Sequence, residues 1–151
     1  NPSQPKCQLL GVANLDQMRL YNNVYRKIGI DYAIENSIEG YDEISLTGNF
    51  KITTNDYERI FSPADIGMQQ TRASELMGGE TKEDAMRIFD SVLANTATES
   101  QKNVVITNAA FAIQVMERGK KSIDECIAIA RESLESGRAE ETLKKFIEIN
   151  S

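Results

Sequence analysis

Residues 8–36 read QLLGVANLDQMRLYNNVYRKIGIDYAIEN, and their pattern decides the fold. Gln8-Leu-Leu-Gly-Val-Ala13 is a short apolar run of the kind that forms a buried parallel strand. Asn14, with Gln17 three residues on, has the form of a capping box, so a helix is expected to follow. Met18, Tyr21, Val24, Tyr25 and Ile28 recur at helical spacing, and Gly29 falls where a left-handed cap would end the helix. Tyr32-Ala-Ile-Glu-Asn36 then reads as a second strand. Strand, helix and strand with short connections make a βαβ unit. Its crossover is expected to be right-handed, and its ligand side is the carboxyl end of the strands.

Downstream of this unit lies the loop Ser37-Ile-Glu-Gly-Tyr-Asp-Glu43, which carries Asp42 and Glu43 just past the second strand. Glu43-Ile-Ser-Leu-Thr47 alternates polar and apolar, Gly48-Asn49 reads as a turn, and Phe50–Thr54 and Tyr57–Phe61 flank Asn55-Asp56. A small antiparallel meander is expected there. Ser62-Pro63 can open a single helical turn that Gly67 closes.

Helical patterns fill the remainder. One helix starts at Thr81, with Ala85, Ile88, Phe89, Val92 and Leu93 on its apolar face. A central one carries Val104, Val105, Asn108, Ala109, Ala112, Ile113 and Met116 and ends near Gly119. A third opens on the capping box Ser122/Glu125, turns Cys126, Ile127, Ala130 and Leu134 inward and stops at Gly137. Leu143, Phe146 and Ile147 mark a terminal helix. The expected class is α/β: a mostly parallel sheet, a small antiparallel meander and packed helices.

Composition bounds the function. The 151 residues are 40% hydrophobic and 26% charged, which suits a soluble globular domain with a real core. The net charge of -6, with no concentration of Lys or Arg, argues against a nucleic-acid partner. No apolar run approaches the roughly 20 residues of a membrane span, and no leader pattern is present, so a cytoplasmic protein is expected. Cys7 and Cys126 read as small buried hydrophobes rather than a disulfide. With no histidine in the chain, His-based metal sites and catalytic triads are excluded. Asn1-Pro2-Ser3-Gln4-Pro5 lacks an initiator Met and runs directly into a strand, as expected of a fragment cut in a loop.

Asp42 and Glu43 are the candidate metal ligands. Adjacent carboxylates at the exit of a parallel strand can supply hard oxygen donors to Mg²⁺, which keeps several waters and shares itself with substrate phosphates. On spacing alone, two acids in a surface loop are more often simply solvated. Asp56, Asp65, Asp84 and Asp124 stand at turns or helix starts, where capping explains them. Gly78-Gly79 lacks the spacing and the preceding strand of a phosphate-binding loop. Asn108, an amide on the most apolar helix, points to a structural hydrogen bond. Tyr21, Tyr25 and Phe111 read as core.

Taken together, Asn1-Pro2, Gln8-Leu-Leu-Gly-Val12, Gly40-Tyr-Asp-Glu-Ile-Ser45, Gly78-Gly79, Asn108-Ala-Ala110 and Glu135-Ser-Gly137 resemble the anthranilate phosphoribosyltransferase family in order and spacing. The resemblance covers essentially the whole chain, and the family's Gly-Leu-Asp-Glu loop is its most specific element, here Gly40-Tyr41-Asp42-Glu43. It implies a phosphoribosyltransferase-type catalytic domain, with residues 1–151 forming its C-terminal part. The N-terminal helical domain, the Gly-rich phosphate loop and the anthranilate-contacting segments then lie upstream.

The reaction implied is displacement of pyrophosphate from phosphoribosyl pyrophosphate by the amine of anthranilate, in tryptophan biosynthesis. Asp42 and Glu43 would hold Mg²⁺ bound with the pyrophosphate, and the full-length protein would be a homodimer. The isolated chain is expected to be inactive. Where the family often has His-Gly or His-Ser before the acidic loop, this chain has Asn36-Ser37. That departure leaves room for a transferase acting on another aromatic amine. The alternatives are a pyrimidine-nucleoside phosphorylase relative and a non-catalytic, nucleic-acid-binding paralogue of the same fold.

Overall fold

The computed structural model describes residues 3–151. Asn1 and Pro2, part of the family resemblance, lie outside the described residues. Strand β1 (Cys7–Gly11) leads into helix α1 (Leu15–Ile28), which returns the chain to strand β2 (Asp31–Ser37). The two strands pair in parallel, Leu9 opposite Ala33 and Gly11 opposite Glu35, so the βαβ unit forms as expected. Asn14 caps α1 by accepting a hydrogen bond from the Gln17 N–H at 2.9 Å. The Gln17 side chain reaches back to the Ala13 N–H, one residue short of the reciprocal partner expected of a capping box. Gly29 adopts φ 76° and donates its N–H to the Tyr25 carbonyl, a left-handed cap that only glycine takes without cost.

Strand β3 (Phe50–Thr54) pairs antiparallel with β2, and β4 (Glu58–Phe61) antiparallel with β3, giving one sheet ordered β1-β2-β3-β4. The α/β class stands, with a sheet more antiparallel than expected: one parallel pair and two antiparallel ones. Residues 43–47 are not the first strand of a meander; β2 itself takes that place. The alternation in Glu43–Thr47 misleads because Ile44, Ser45, Leu46 and Thr47 are all buried, with side chains rather than a ladder satisfying much of their backbone. The single turn at Pro63–Ile66 forms as read, with a complete Ser62/Asp65 capping box and Gly67 at φ 68°.

The helices are α2 (Lys82–Leu93), α3 (Glu99–Met116), α4 (Ile123–Glu135) and α5 (Arg138–Asn150), the first three opened by reciprocal capping boxes. Paired residues on neighbouring strands share a face, so Ala33, Glu35 and Ser37 of β2 lie on the side of Phe50 and Ile52, and Tyr32, Ile34 and Asn36 on the other. Helix α1 covers the second face through Met18 and Tyr25, and α3 packs on the first against β1 and β2, with α4 behind it. The main core centres on three rings: Phe111 of α3 meets Phe50 and Phe61 edge-on, and the latter two stack on each other.

Several faces differ from the periodicity. In α3 the buried residues are Val104, Ile106, Thr107, Ala110, Phe111 and Val115, whereas Val105 and Met116 are exposed. This helix is apolar nearly all round, so spacing alone cannot orient it. In α2 only Val92 is buried; Ala85 and Phe89 are exposed, the latter at 54%. Phe146 and Ile147 of α5 and Tyr21 of α1 are also exposed. Both cysteines are free, Cys126 buried and Cys7 half-buried. Among the described residues no helix is long and apolar enough to cross a membrane.

The three-ring cluster gives a direct test. Phe111→Ala empties a fully buried site between Phe50 and Phe61 and is expected to cost about 3–5 kcal/mol, read as a lower urea midpoint at unchanged m-value.

Candidate metal centre at the β2–β3 loop

The acidic loop leaves β2 at its carboxyl end and is fastened at nearly every residue. The Asn36 side chain donates to the carbonyls of Val12 (2.7 Å) and Tyr41 (3.4 Å), tying the end of β1 to the start of the loop. Asn36 therefore has a structural task of its own where the family often has histidine. The Ser37 hydroxyl donates to the Glu43 carbonyl at 2.7 Å and accepts from the Ser45 N–H at 3.1 Å. The hydroxyls of Ser45 and Thr47 lie 2.7 Å apart, and Thr47 donates to the Glu39 carboxylate. These buried hydroxyls satisfy one another, so their desolvation is offset and the loop is held in one conformation.

Two long-range contacts fix its height above the sheet. Asn108 of α3 accepts the Ile44 N–H at 3.0 Å and donates to the Ile44 carbonyl at 2.9 Å, a two-way clamp on the residue after Glu43. Its amide also donates to the Val104 carbonyl at 2.8 Å, so the structural reading of Asn108 holds. Gly11, at the end of β1, lets the loop backbone come close: a Cβ built there would lie 1.6 Å from the Asp42 carbonyl oxygen. Asp42 and Glu43 themselves are exposed, side by side at the carboxyl edge of β1 and β2, as the sequence placed them.

Beneath the loop is a group that sequence reasoning passed over. Glu35 projects from β2 to the α3 face of the sheet, opposite Gly11 on one side and Ile52 on the other. It is 4% exposed, and its Oε2 is buried with no hydrogen-bond partner. Burial pushes its carboxyl up to about 8, with the charges of Glu43 and then Asp42 adding to the effect. A charged residue inside an apolar strand, and a lone glycine inside another, were the signals available for Glu35 and Gly11.

The donor set suits a hard cation. Among the described residues no three acidic, Cys or His side chains stand close enough to form a closed metal cage. Two exposed carboxylates on a rigid loop instead match an ion that keeps waters and takes its other ligands from a phosphate. Gly78-Gly79 lies in a separate loop where Gly79, at φ 84°, packs against Asp84 of α2.

A βαβ-led sheet packed by helices on its two faces makes the chain an α/β domain. It belongs to the glycosyl transferase family, a/b domain, whose family model matches residues 1–140. The chain is 58% identical over its full length to an anthranilate phosphoribosyltransferase of Phocaeicola vulgatus and spans 45% of that relative. The counterpart from Cytophaga hutchinsonii is 46% identical over 97% of the chain, which spans 44% of it. The chain thus spans less than half the length of these relatives.

Among solved structures, anthranilate phosphoribosyltransferase from Saccharomyces cerevisiae in complex with PRPP and Mg superposes with a TM-score of 0.80 at 22% identity. It covers 97% of this chain and 42% of its own. The same yeast enzyme in complex with 4-fluoroanthranilate gives 0.82 at 22% identity, over 95% of this chain and 42% of its own. These two likenesses establish the fold.

Two outcomes test the site's architecture. Because the Glu35 pKa is raised in the folded state, folding takes up a proton between about pH 4.5 and 8, and stability is lost as pH rises through that window. Urea midpoints at pH 5 and pH 8.5 should differ for the parent chain, and Glu35→Gln should remove most of the difference. Asn108→Ala strips both partners from the peptide groups of buried Ile44. It should cost about 1–3 kcal/mol and speed amide exchange at Ile44 specifically.

Proposed function

We propose that the chain is the C-terminal part of an anthranilate phosphoribosyltransferase, the longer polypeptide transferring the phosphoribosyl group from phosphoribosyl pyrophosphate to anthranilate. Residues 1–151 then form one partial catalytic domain, the helical domain and the other substrate-binding segments belong to the remainder, and the full-length protein is a homodimer. The observation that carries this reading is the paired acids Asp42 and Glu43, exposed on a loop whose backbone is clamped at Ser37, Ile44 and Gly11. The relatives' names supply the reaction.

On this reading Asp42 and Glu43 hold Mg²⁺ together with the substrate's diphosphate. When bound, the ion neutralises charge that grows on the departing pyrophosphate. The protein's own contribution is position. Ser37, Asn36 and Asn108 fix the loop backbone, so the two carboxylates need little reorganisation to meet a ligand. On this reading the anthranilate amine displaces pyrophosphate directly, and no residue of the chain is assigned as nucleophile or proton carrier.

The test uses the full-length polypeptide. Asp42→Asn with Glu43→Gln should lower kcat/KM for phosphoribosyl pyrophosphate by roughly 10²–10³-fold while leaving the circular dichroism spectrum unchanged. Unchanged kinetics would refute the assignment. The 151-residue chain alone should show no turnover with both substrates and Mg²⁺, since a site drawn from several segments loses most of its transition-state stabilisation when they are removed.

A further inference from the structure

Glu39 is an exposed acid on the outgoing limb of the loop, and a surface carboxylate of this kind is ordinarily left to solvent. Here it is engaged inward. The hydroxyl of Thr47, a buried residue on the returning limb, donates to its carboxylate. The carboxylate also lies against Gly48, where a Cβ would fall 2.7 Å from Glu39 Oε1. Gly48 is outside the left-handed region, so its backbone conformation is open to any residue. What a side chain there would displace is the Glu39 carboxylate.

The contact has a direction. A carboxylate only accepts hydrogen bonds, so the Thr47 proton points at Glu39 and the Thr47 oxygen accepts from the Ser45 hydroxyl at 2.7 Å. The Ser45 N–H donates to the Ser37 hydroxyl at 3.1 Å, and that hydroxyl donates to the Glu43 carbonyl at 2.7 Å. A run of hydrogen bonds thus leads from Glu39 to the backbone of Glu43. At the loop's base the two limbs are joined by the Ile38 N–H on the Asn49 carbonyl at 2.9 Å, and Glu39 ties them one residue further out. Without that acceptor the Thr47 hydroxyl is free to turn toward Ser45, and the run gains a second arrangement.

We infer that Glu39 is a positioning residue for the acid pair: seated against Gly48 and bonded to Thr47, it cross-links the two limbs of the loop and holds Asp42 and Glu43 where one divalent ion meets both. The inference rests on the proposed metal role of that pair. Glu39 itself touches neither ion nor substrate. Residues that orient metal ligands in this way typically change metal affinity about 10–100-fold when removed.

The experiment uses the full-length polypeptide and two readouts: the Mg²⁺ concentration giving half-maximal kcat/KM, and, without metal, hydrogen exchange by mass spectrometry in the peptide covering residues 37–47. It compares the parent with Glu39→Ala, Glu39→Gln, Gly48→Ala, the Glu39→Ala/Gly48→Ala double variant and the Asp42→Asn/Glu43→Gln pair. Glu39→Ala and Gly48→Ala should each raise the Mg²⁺ requirement about tenfold and speed exchange in the loop. The double variant should be no worse than either alone, because both remove the same contact. Glu39→Gln keeps the acceptor and the seat and should stay close to the parent. Faster exchange in Glu39→Ala with a parent-like Mg²⁺ requirement marks a merely stabilising residue and overturns the inference, while loss of the Mg²⁺ response in the Asp42/Glu43 variant leaves the metal pair standing. A parent-like Mg²⁺ response in the Asp42/Glu43 variant overturns both.

Discussion

The arrangement of this domain turns on one contact between distant parts of the chain, the Asn108 amide gripping both polar groups of the Ile44 peptide. A buried backbone N–H and C=O must be paired, and at Ile44 no strand supplies the partners. One side chain does so instead, joining the central helix to the loop that carries the acids. Around that contact the fold is arranged in order. Gly11 lets the loop settle onto β1, the Ser37 hydroxyl fixes the Glu43 carbonyl, and Ile44 and Leu46 fill the core beneath. The acids stay exposed although residues 44–47, directly after them, are buried.

Much of this could be read from residues alone. The βαβ unit, its caps, and the position of Asp42 and Glu43 at the carboxyl edge follow from local signals: apolar runs of strand length, Asn14, Gly29 and a loop that begins where β2 stops. Local signals are reliable where the deciding interactions are themselves local. The capping boxes at Thr81 and Ser122 are of that kind, since each involves residues three apart.

What escaped was set by contacts across the chain. Glu43–Thr47 alternates like a strand, yet Ile44, Ser45, Leu46 and Thr47 are all buried, and Leu46 adopts φ 58°, a conformation no ladder would use. The rotation of α3 could not be read because sheet and α4 enclose it from two sides. In α2 and α5 only part of each apolar stripe is covered, Val92 in the core and Ala139 against it, while Phe89 and Phe146 stay exposed. Glu35 was overlooked because its surroundings come from β1, β3 and a loop that no spacing rule brings together.

The grip of Asn108 on Ile44 spans 64 residues of chain, and that separation has a bearing on biosynthesis. During translation β1, α1 and β2 emerge before the central helix and can pair ahead of it, but the acids that follow have no settled address until that helix has been made and has docked. A nascent chain halted between the two would carry a formed βαβ unit beside an unfixed acidic loop. The fixed placing of the two acids thus arrives late in synthesis, as a property of tertiary closure rather than of the segment that bears them.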